Sequence, residues 1–438
     1  MTAPSGQPEA TRFGRRALFG WRSAWAVECR NNRTIGPAPN EGAERSRWRV
    51  VVRRDWTGVY QTDWAGGGFA FSVGATAIMM VAMSRSAPDT APPLENRWPH
   101  LLAWLTACAV FPLVWMGGLV TTYDAGMAVP DWPTTYGHWF YPLQKWLWRF
   151  GDLFLEHGHR TLAQGVGLLA IALVAAVWWR PASPQARRLA VVLLAGVVFQ
   201  GVLGGLRVLW DERLLAQVHA CTAPLVFAVA AAMVTFTSPR WRRVQRADGA
   251  PRHAERNAAA GSAARAAAPP RRLAIVMAAG LYGEIVLGSL LRHPAWDLWA
   301  RWFEVWVWLK LIVAAALLCG AALLMRWAVV SAKTIRPDAA TTAVRRRAVL
   351  LAALLAVQLI LAGVTWVVNY GYPAWFRNHV IALEYTVVRE GLLQVVATTA
   401  HAAVGSLCLV AASSLVLWAH RAAPPAVEPT KAPTAAVR

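Results

Sequence analysis

Glu156-His157-Gly158-His159-Arg160 stands at the mouth of an apolar run that continues from Thr161 to Trp179. A run of about 20 apolar residues is what a helix needs to cross the hydrocarbon core of a bilayer. Ionisable residues at such a boundary are costly, which makes them a functional hypothesis by default. Glu156 and His159 are three apart and share one helix face, whereas His157 points roughly away from His159. The useful pair is a carboxylate and an imidazole side by side at a membrane boundary.

The composition fits that reading. The chain has 438 residues, 56% of them hydrophobic, with 25 Trp and a positive mean hydropathy. This is membrane-protein composition. A net charge of +21 would point to nucleic acid in a soluble protein. Here the basic residues cluster in short loops between apolar runs, where they act as topology signals and contacts to anionic lipid. Nucleic acid is therefore excluded as a partner. Cys108, Cys221, Cys319 and Cys408 sit singly in four different apolar runs, and Cys29 lies far upstream. No CxxC spacing supports a disulfide framework or a zinc site.

Outward from the opening stretch, apolar spans run at about 101–120, 157–179, 189–206, 215–237, 273–291, 302–327, 348–368 and 391–418. The expected fold is an all-α integral membrane protein of eight transmembrane helices. Arg180, Arg187 and Arg188 follow the second span, nine Arg lie between Arg240 and Arg272, and six basic residues lie between Arg326 and Arg347. The positive-inside bias places both termini and these loops in the cytoplasm. Residues 238–272, rich in Gly, Ala, Arg and Pro, read as a cytoplasmic linker that splits the spans four and four. Residues 421–438 read as a disordered tail. Residues 1–97 read as an N-terminal extension: either Gly66–Met83 forms a marginal extra helix, or the natural start lies at Met79, Met80 or Met83.

The halves resemble each other. Gln200-Gly201-Val202-Leu203-Gly204-Gly205 in the third span is echoed by Gln358-Leu359-Ile360-Leu361-Ala362-Gly363 in the seventh. Met116-Gly117-Gly118-Leu119 in the first is echoed by Leu287-Gly288-Ser289-Leu290 in the fifth, and His219-Ala220 in the fourth by His401-Ala402 in the eighth. Residues 98–237 and 273–420 are thus expected to be two pseudo-symmetric four-helix bundles related by duplication.

Under this topology the second and fourth spans run in the same direction, so His159 and His219 lie at similar depth near the outer face. Two neutral imidazoles facing inward from separate helices of a bundle are what axial ligation of a haem iron requires. The second half is less complete. His401 occupies the place of His219, but the sixth span, Trp302 to Trp327, contains no His; its polar residues are Glu304 and Lys310. Three readings stay open there: His293 substitutes, the iron has one protein ligand, or a second haem is absent. The long connection from Thr121 to Leu155 carries Val129-Pro130-Asp131-Trp132-Pro133, a rigid non-helical turn. It serves as an aromatic belt at the interface, as a lid over the site, or as both.

Gly117-Gly118-Leu119-Val120, Gly126-Met127-Ala128-Val129-Pro130-Asp131-Trp132-Pro133, Glu156-x-x-His159-Arg160, Gln200-Gly201-x-x-Gly204-Gly205-x-Arg207 and His219 together resemble the haem A synthase family. The resemblance covers about residues 98–420 and is strongest in the first half. It implies oxidation of a methyl group of haem O, the substrate, to the formyl group of haem A for terminal oxidases of the cell's inner membrane. It implies that His159 and His219 hold the substrate haem, that Glu156 is the catalytic carboxylate, and that His401 is one ligand of a haem b. Arg160 and Arg207 are possible partners of haem propionates, while Glu156 has a salt bridge to Arg160 as its plainer role. Two departures stand out: the sixth-span His of the family pattern is missing, and residues 121–155 contain no Cys. Implied partners are membrane lipid, haem O synthase and cytochrome oxidase assembly proteins. Competing readings are a b-type membrane cytochrome for quinol-linked electron transfer and a haem-delivery protein.

Overall fold

Eight helices are long and apolar enough to cross a membrane in the computed structural model, which describes residues 97–148, 150–248, 270–292, 302–334, 339–380 and 385–422. They are α1 (Trp98–Thr122), α2 (Asp152–Trp179), α3 (Pro184–Trp210), α4 (Arg213–Thr237), α5 (Arg271–Arg292), α6 (Phe303–Thr334), α7 (Ala339–Tyr370) and α8 (Leu392–Ala422). Among the described residues the one β pairing is an isolated bridge, Thr135 with His138. The N-terminal extension, His293 and the C-terminal tail beyond Ala422 lie outside the described residues.

Local signals set the ends. Ser183 caps α3, its hydroxyl accepting from the Ala186 N–H at 3.2 Å, with Pro184 in the first turn. α3 stops where Asp211 turns left-handed at φ 48°. α7 stops at Gly371, φ 77°, whose N–H reaches back to the Val367 carbonyl at 2.8 Å. Each helix runs past its apolar window. Hydropathy measures the hydrocarbon layer, whereas backbone hydrogen bonding continues into the interface.

Neighbour relations repeat with a period of four helices. α1 packs on α2 and α4, and α3 joins α2 to α4; α5 packs on α6 and α8, and α7 joins α6 to α8. α8 also packs on α1 and α4. Its central place explains why 61% of its apolar window is buried against 17% for α7, which faces outward. The first core contains Ala103, Ala107, Phe111, Leu173, Ala190 and Phe227. Small residues at such contacts let helix backbones approach, which matters more than hydrophobicity when the surrounding lipid is equally apolar.

One part of the expected linker is ordered. Pro239–Asp248 is helical, and Trp241 is buried against Phe236 and Trp418, both with ring centroids 5.1 Å away. The Arg347 guanidinium lies over Trp418, 4.8 Å from the ring centre. The basic composition of 238–272 hides this apolar anchor. Residues 249–269 of the linker lie outside the described residues.

Candidate functional site

α2 and α4 lie diagonally across the first set of four helices, and each carries one imidazole to the middle. The rings of His159 and His219 are 6.4 Å apart between centroids and inclined at 74°. Metal–nitrogen bonds of about 2.0 Å on opposite sides of one ion, plus the distance from nitrogen to ring centre, put two imidazole centroids about 6 Å apart. The observed spacing fits. Each ring lies against a glycine of a neighbouring helix: a Cβ on Gly117 would stand 3.0 Å from His159 Cε1, and one on Gly204 3.2 Å from His219 Cε1. The glycines leave the rings room to stand upright between helices.

Neither ring is fully covered, so each keeps an open side on which a ligand could lie. The side-chain amide of Gln200 lies between the Thr222 hydroxyl and His219, 3.0 Å from Nδ1. Its better-satisfied orientation has Nε2 donating to His219 Nδ1 at 3.0 Å and the oxygen accepting from the Ala223 N–H at 3.2 Å and the Thr222 hydroxyl; an imidazole bound to metal through Nε2 would carry its proton on Nδ1, and the amide would then turn its oxygen there. Among the described residues no three His, Cys, Asp or Glu side chains cluster as a metal site. A macrocycle supplies its own equatorial nitrogens and needs only the axial pair.

Glu156 is one turn from His159 but faces the α1–α2 connection. Its Oε1 accepts from Arg160 Nη2 at 2.7 Å and its Oε2 from the Val129 N–H at 2.9 Å. Arg160 then grips the same connection: Nη1 donates to the carbonyls of Asp131 (2.7 Å) and Thr134 (3.0 Å), and Nη2 to that of Val129 (3.0 Å). The salt bridge considered from the (i, i+4) spacing is therefore present, with side-chain exposure of only 5% for Glu156 and 14% for Arg160. Arg207 Nη2 donates to the Gly126 carbonyl at 2.8 Å. No Cβ fits at Gly126, where the Arg207 guanidinium lies, or at Gly205, where the Trp132 indole lies. Three charged residues and two glycines thus fold the connection down beside the imidazole pair.

His157 is a further anchor that sequence reasoning passed over. Its Nδ1 is 3.0 Å from Thr135 Oγ1, and its ring stands edge-on to Trp146 and Tyr141. Only its offset from His159 was visible in the sequence; its partner is 22 residues away.

Within the connection, Asp131 organises the turn. Its carboxylate accepts from the N–H groups of Tyr136 (2.7 Å) and Gly137 (2.9 Å) and from the Thr134 hydroxyl. Partial desolvation works against ionisation, but these donors outweigh it and hold the carboxyl at about 2 against an ordinary 3.8. A depressed carboxylate stabilises the fold above its unfolded pKa and loses that contribution as pH falls through the folded one. The turn is accordingly expected to loosen between about pH 4 and pH 2. Limited proteolysis of the connection across that range measures it, with Asp131→Asn cut readily even at neutral pH; equal resistance at pH 5 and pH 2 would contradict the assignment.

His401 lies on α8, in the second set of helices. Its Nδ1 is buried without a hydrogen-bond partner.

Eight helices long and apolar enough to cross a membrane, two of them bringing a pair of imidazoles together, define a class of multi-pass helical membrane proteins. The chain belongs to the cytochrome oxidase assembly protein family, whose profile matches residues 100–379. Among curated relatives, a haem A synthase of Shewanella oneidensis is 36% identical over 118 residues, covering 24% of this chain and 35% of that one. One of Shouchella clausii is 32% identical over 132 residues, 29% and 42% of the two chains. A third, of Rhizorhabdus wittichii, is 25% identical over 184 residues, 34% and 51%. The matched part of the chain thus spans between about a third and a half of these relatives' length.

Proposed function

We propose that this protein is a haem A synthase, oxidising the methyl substituent of haem O to the formyl of haem A for cytochrome oxidase biogenesis. The observation that carries the proposal is the His159–His219 pair at 6.4 Å, in a chain of the cytochrome oxidase assembly family. In this reading each set of four helices is a haem-binding bundle, a division supported by the recurrence of the same neighbours in both. His159 and His219 hold the substrate haem from its two faces, and the Gln200 amide backs the Nδ1 side of His219. A second, resident haem b belongs to the other half through His401. Positive-inside bias puts both termini in the cytoplasm, and the α1–α2 connection on the outer side of the inner membrane.

The macrocycle supplies the redox chemistry when bound. What the chain contributes is orientation and a proton acceptor. Oxidation of a methyl to a formyl group releases protons, and Glu156 is the carboxylate one turn from a ligand histidine. It takes a proton at Oε2 once the Val129 N–H lets go. Arg207 and Arg160 hold the connection over the site and restrict water. A carboxylate there favours an enzyme over a b-type electron-transfer cytochrome, which needs no such group beside its ligand.

Extraction and chromatography of haem from the protein purified out of a haem-O-producing host tests the activity. Haem A, or a hydroxylated precursor, is the expected product. Unchanged haem O or haem B alone would favour a cytochrome or delivery protein instead.

A further inference from the structure

The second half repeats the first in its supporting residues but not in its histidines. Gln200 of α3 lies beside His219 and the residues one turn after it. Gln358 of α7 lies beside Gly405, one turn after His401: a Cβ on Gly405 would be 3.2 Å from Gln358 Nε2. Gln358 and His401 are thus the counterparts of Gln200 and His219. On the other side, Gly117 of α1 is the residue against which His159 lies, and its counterpart in the repeat is Gly288 of α5. The side chain against Gly288 belongs to Lys310 of α6, whose Nζ would be 3.6 Å from a Cβ placed there. An amine therefore stands where the first half has an imidazole, on the helix diagonal to the one that carries His401.

That amine has a proton acceptor attached. Lys310 Nζ donates to Glu284 Oε2 at 2.6 Å and to the Glu284 carbonyl, one turn before Gly288, at 3.2 Å. The pair is mostly enclosed, with side-chain exposure of 24% and 15%. Glu284 Oε1, Gln358 Oε1 and His401 Nδ1 are all buried without partners. An ion pair in an apolar membrane interior is costly for a purely structural purpose, since two apolar side chains of similar size would serve there.

We propose that Lys310 is the axial ligand opposite His401, so that the second half holds a haem between an amine and an imidazole. The proposal rests on the reading that the chain binds haem. On ligation the ammonium gives one proton to the Glu284 carboxylate, and the freed lone pair forms the nitrogen–iron bond; no electron changes hands. The carboxylate at 2.6 Å is the base this exchange needs, since metal ligands must be deprotonated.

The experiment uses full-length protein in detergent, supplied with haem, and reads the spin state by absorption and electron paramagnetic resonance. The His159→Ala/His219→Ala double variant removes the first site, and what remains reports the second. Retained low-spin haem is expected. Lys310→Leu in that background should convert it to high-spin or lose it; Lys310→His should keep it low-spin with a shifted resonance. A low-spin signal untouched by Lys310→Leu would overturn the proposal. So would a folded double variant that holds no haem until Lys310→His is added. If the double variant does not fold, Lys310→Leu alone must produce a new high-spin fraction, and its absence counts against the idea. Haem O conversion by the unmodified protein is assayed in parallel, so failure of the synthase reading shows separately.

Discussion

Replacing His219 with alanine is expected to abolish the low-spin spectrum of the first-half haem and to reduce haem O oxidation by about 100-fold or more, the scale on which small misplacements of a bound substrate act. The ring lies against Gly204 and opposite His159 at 6.4 Å. The Gln200 amide is on the Nδ1 side and cannot take its place. Alanine leaves a ring-sized space beside a glycine, which imidazole added to the buffer can enter. Partial return of the low-spin spectrum with imidazole is therefore expected, and it separates lost ligation from lost folding. His159→Ala should behave alike, since its ring has the equivalent place against Gly117. Retention of the native spectrum in either variant would remove that histidine from the iron.

How much of this was legible in the sequence depends on the range of the interaction. The eight spans follow from apolar length alone, and their boundaries fall short because helices such as α7 begin well before the apolar window, at Ala339. His159 and His219 were legible because topology fixes depth: two helices running the same way with an imidazole near the same end bring those imidazoles together. The grip of Arg160 on Val129, Asp131 and Thr134, and of Arg207 on Gly126, was not, since the partners lie 26 to 81 residues away. The role of Gly126 and Gly205 follows from what occupies the space above them, which no local signal encodes. Lys310 was visible only as a polar residue in the sixth span; its place against Gly288, matching that of His159 against Gly117, emerges only from the packing of corresponding helices.

Glu156 is an anchor in the structure and a proton acceptor in the proposed reaction, and different substitutions separate the two. As an anchor it joins Arg160 to the Val129 N–H; as the proposed catalytic group it would take a proton. Glu156→Gln keeps an acceptor oxygen for one of these donors, and Arg160 still has three carbonyls to bond. Its structural cost is then about 1–3 kcal/mol, that of one imperfectly satisfied polar group. The loss of the carboxylate charge is worth about 100- to 10,000-fold in turnover for a general base. Glu156→Gln should therefore bind haem with an unchanged low-spin spectrum, resist proteolysis in the connection, and yield almost no haem A. Arg160→Ala makes the opposite cut. It leaves a carboxylate of 5% exposure without its cation, a change that costs about 3–5 kcal/mol, and it releases three carbonyls of the connection at once. Loosening of that segment should precede any effect on chemistry. If Glu156→Gln instead turns over normally while Arg160→Ala fails, the carboxylate is an anchor only, and the proton acceptor must be sought in another group facing the imidazole pair.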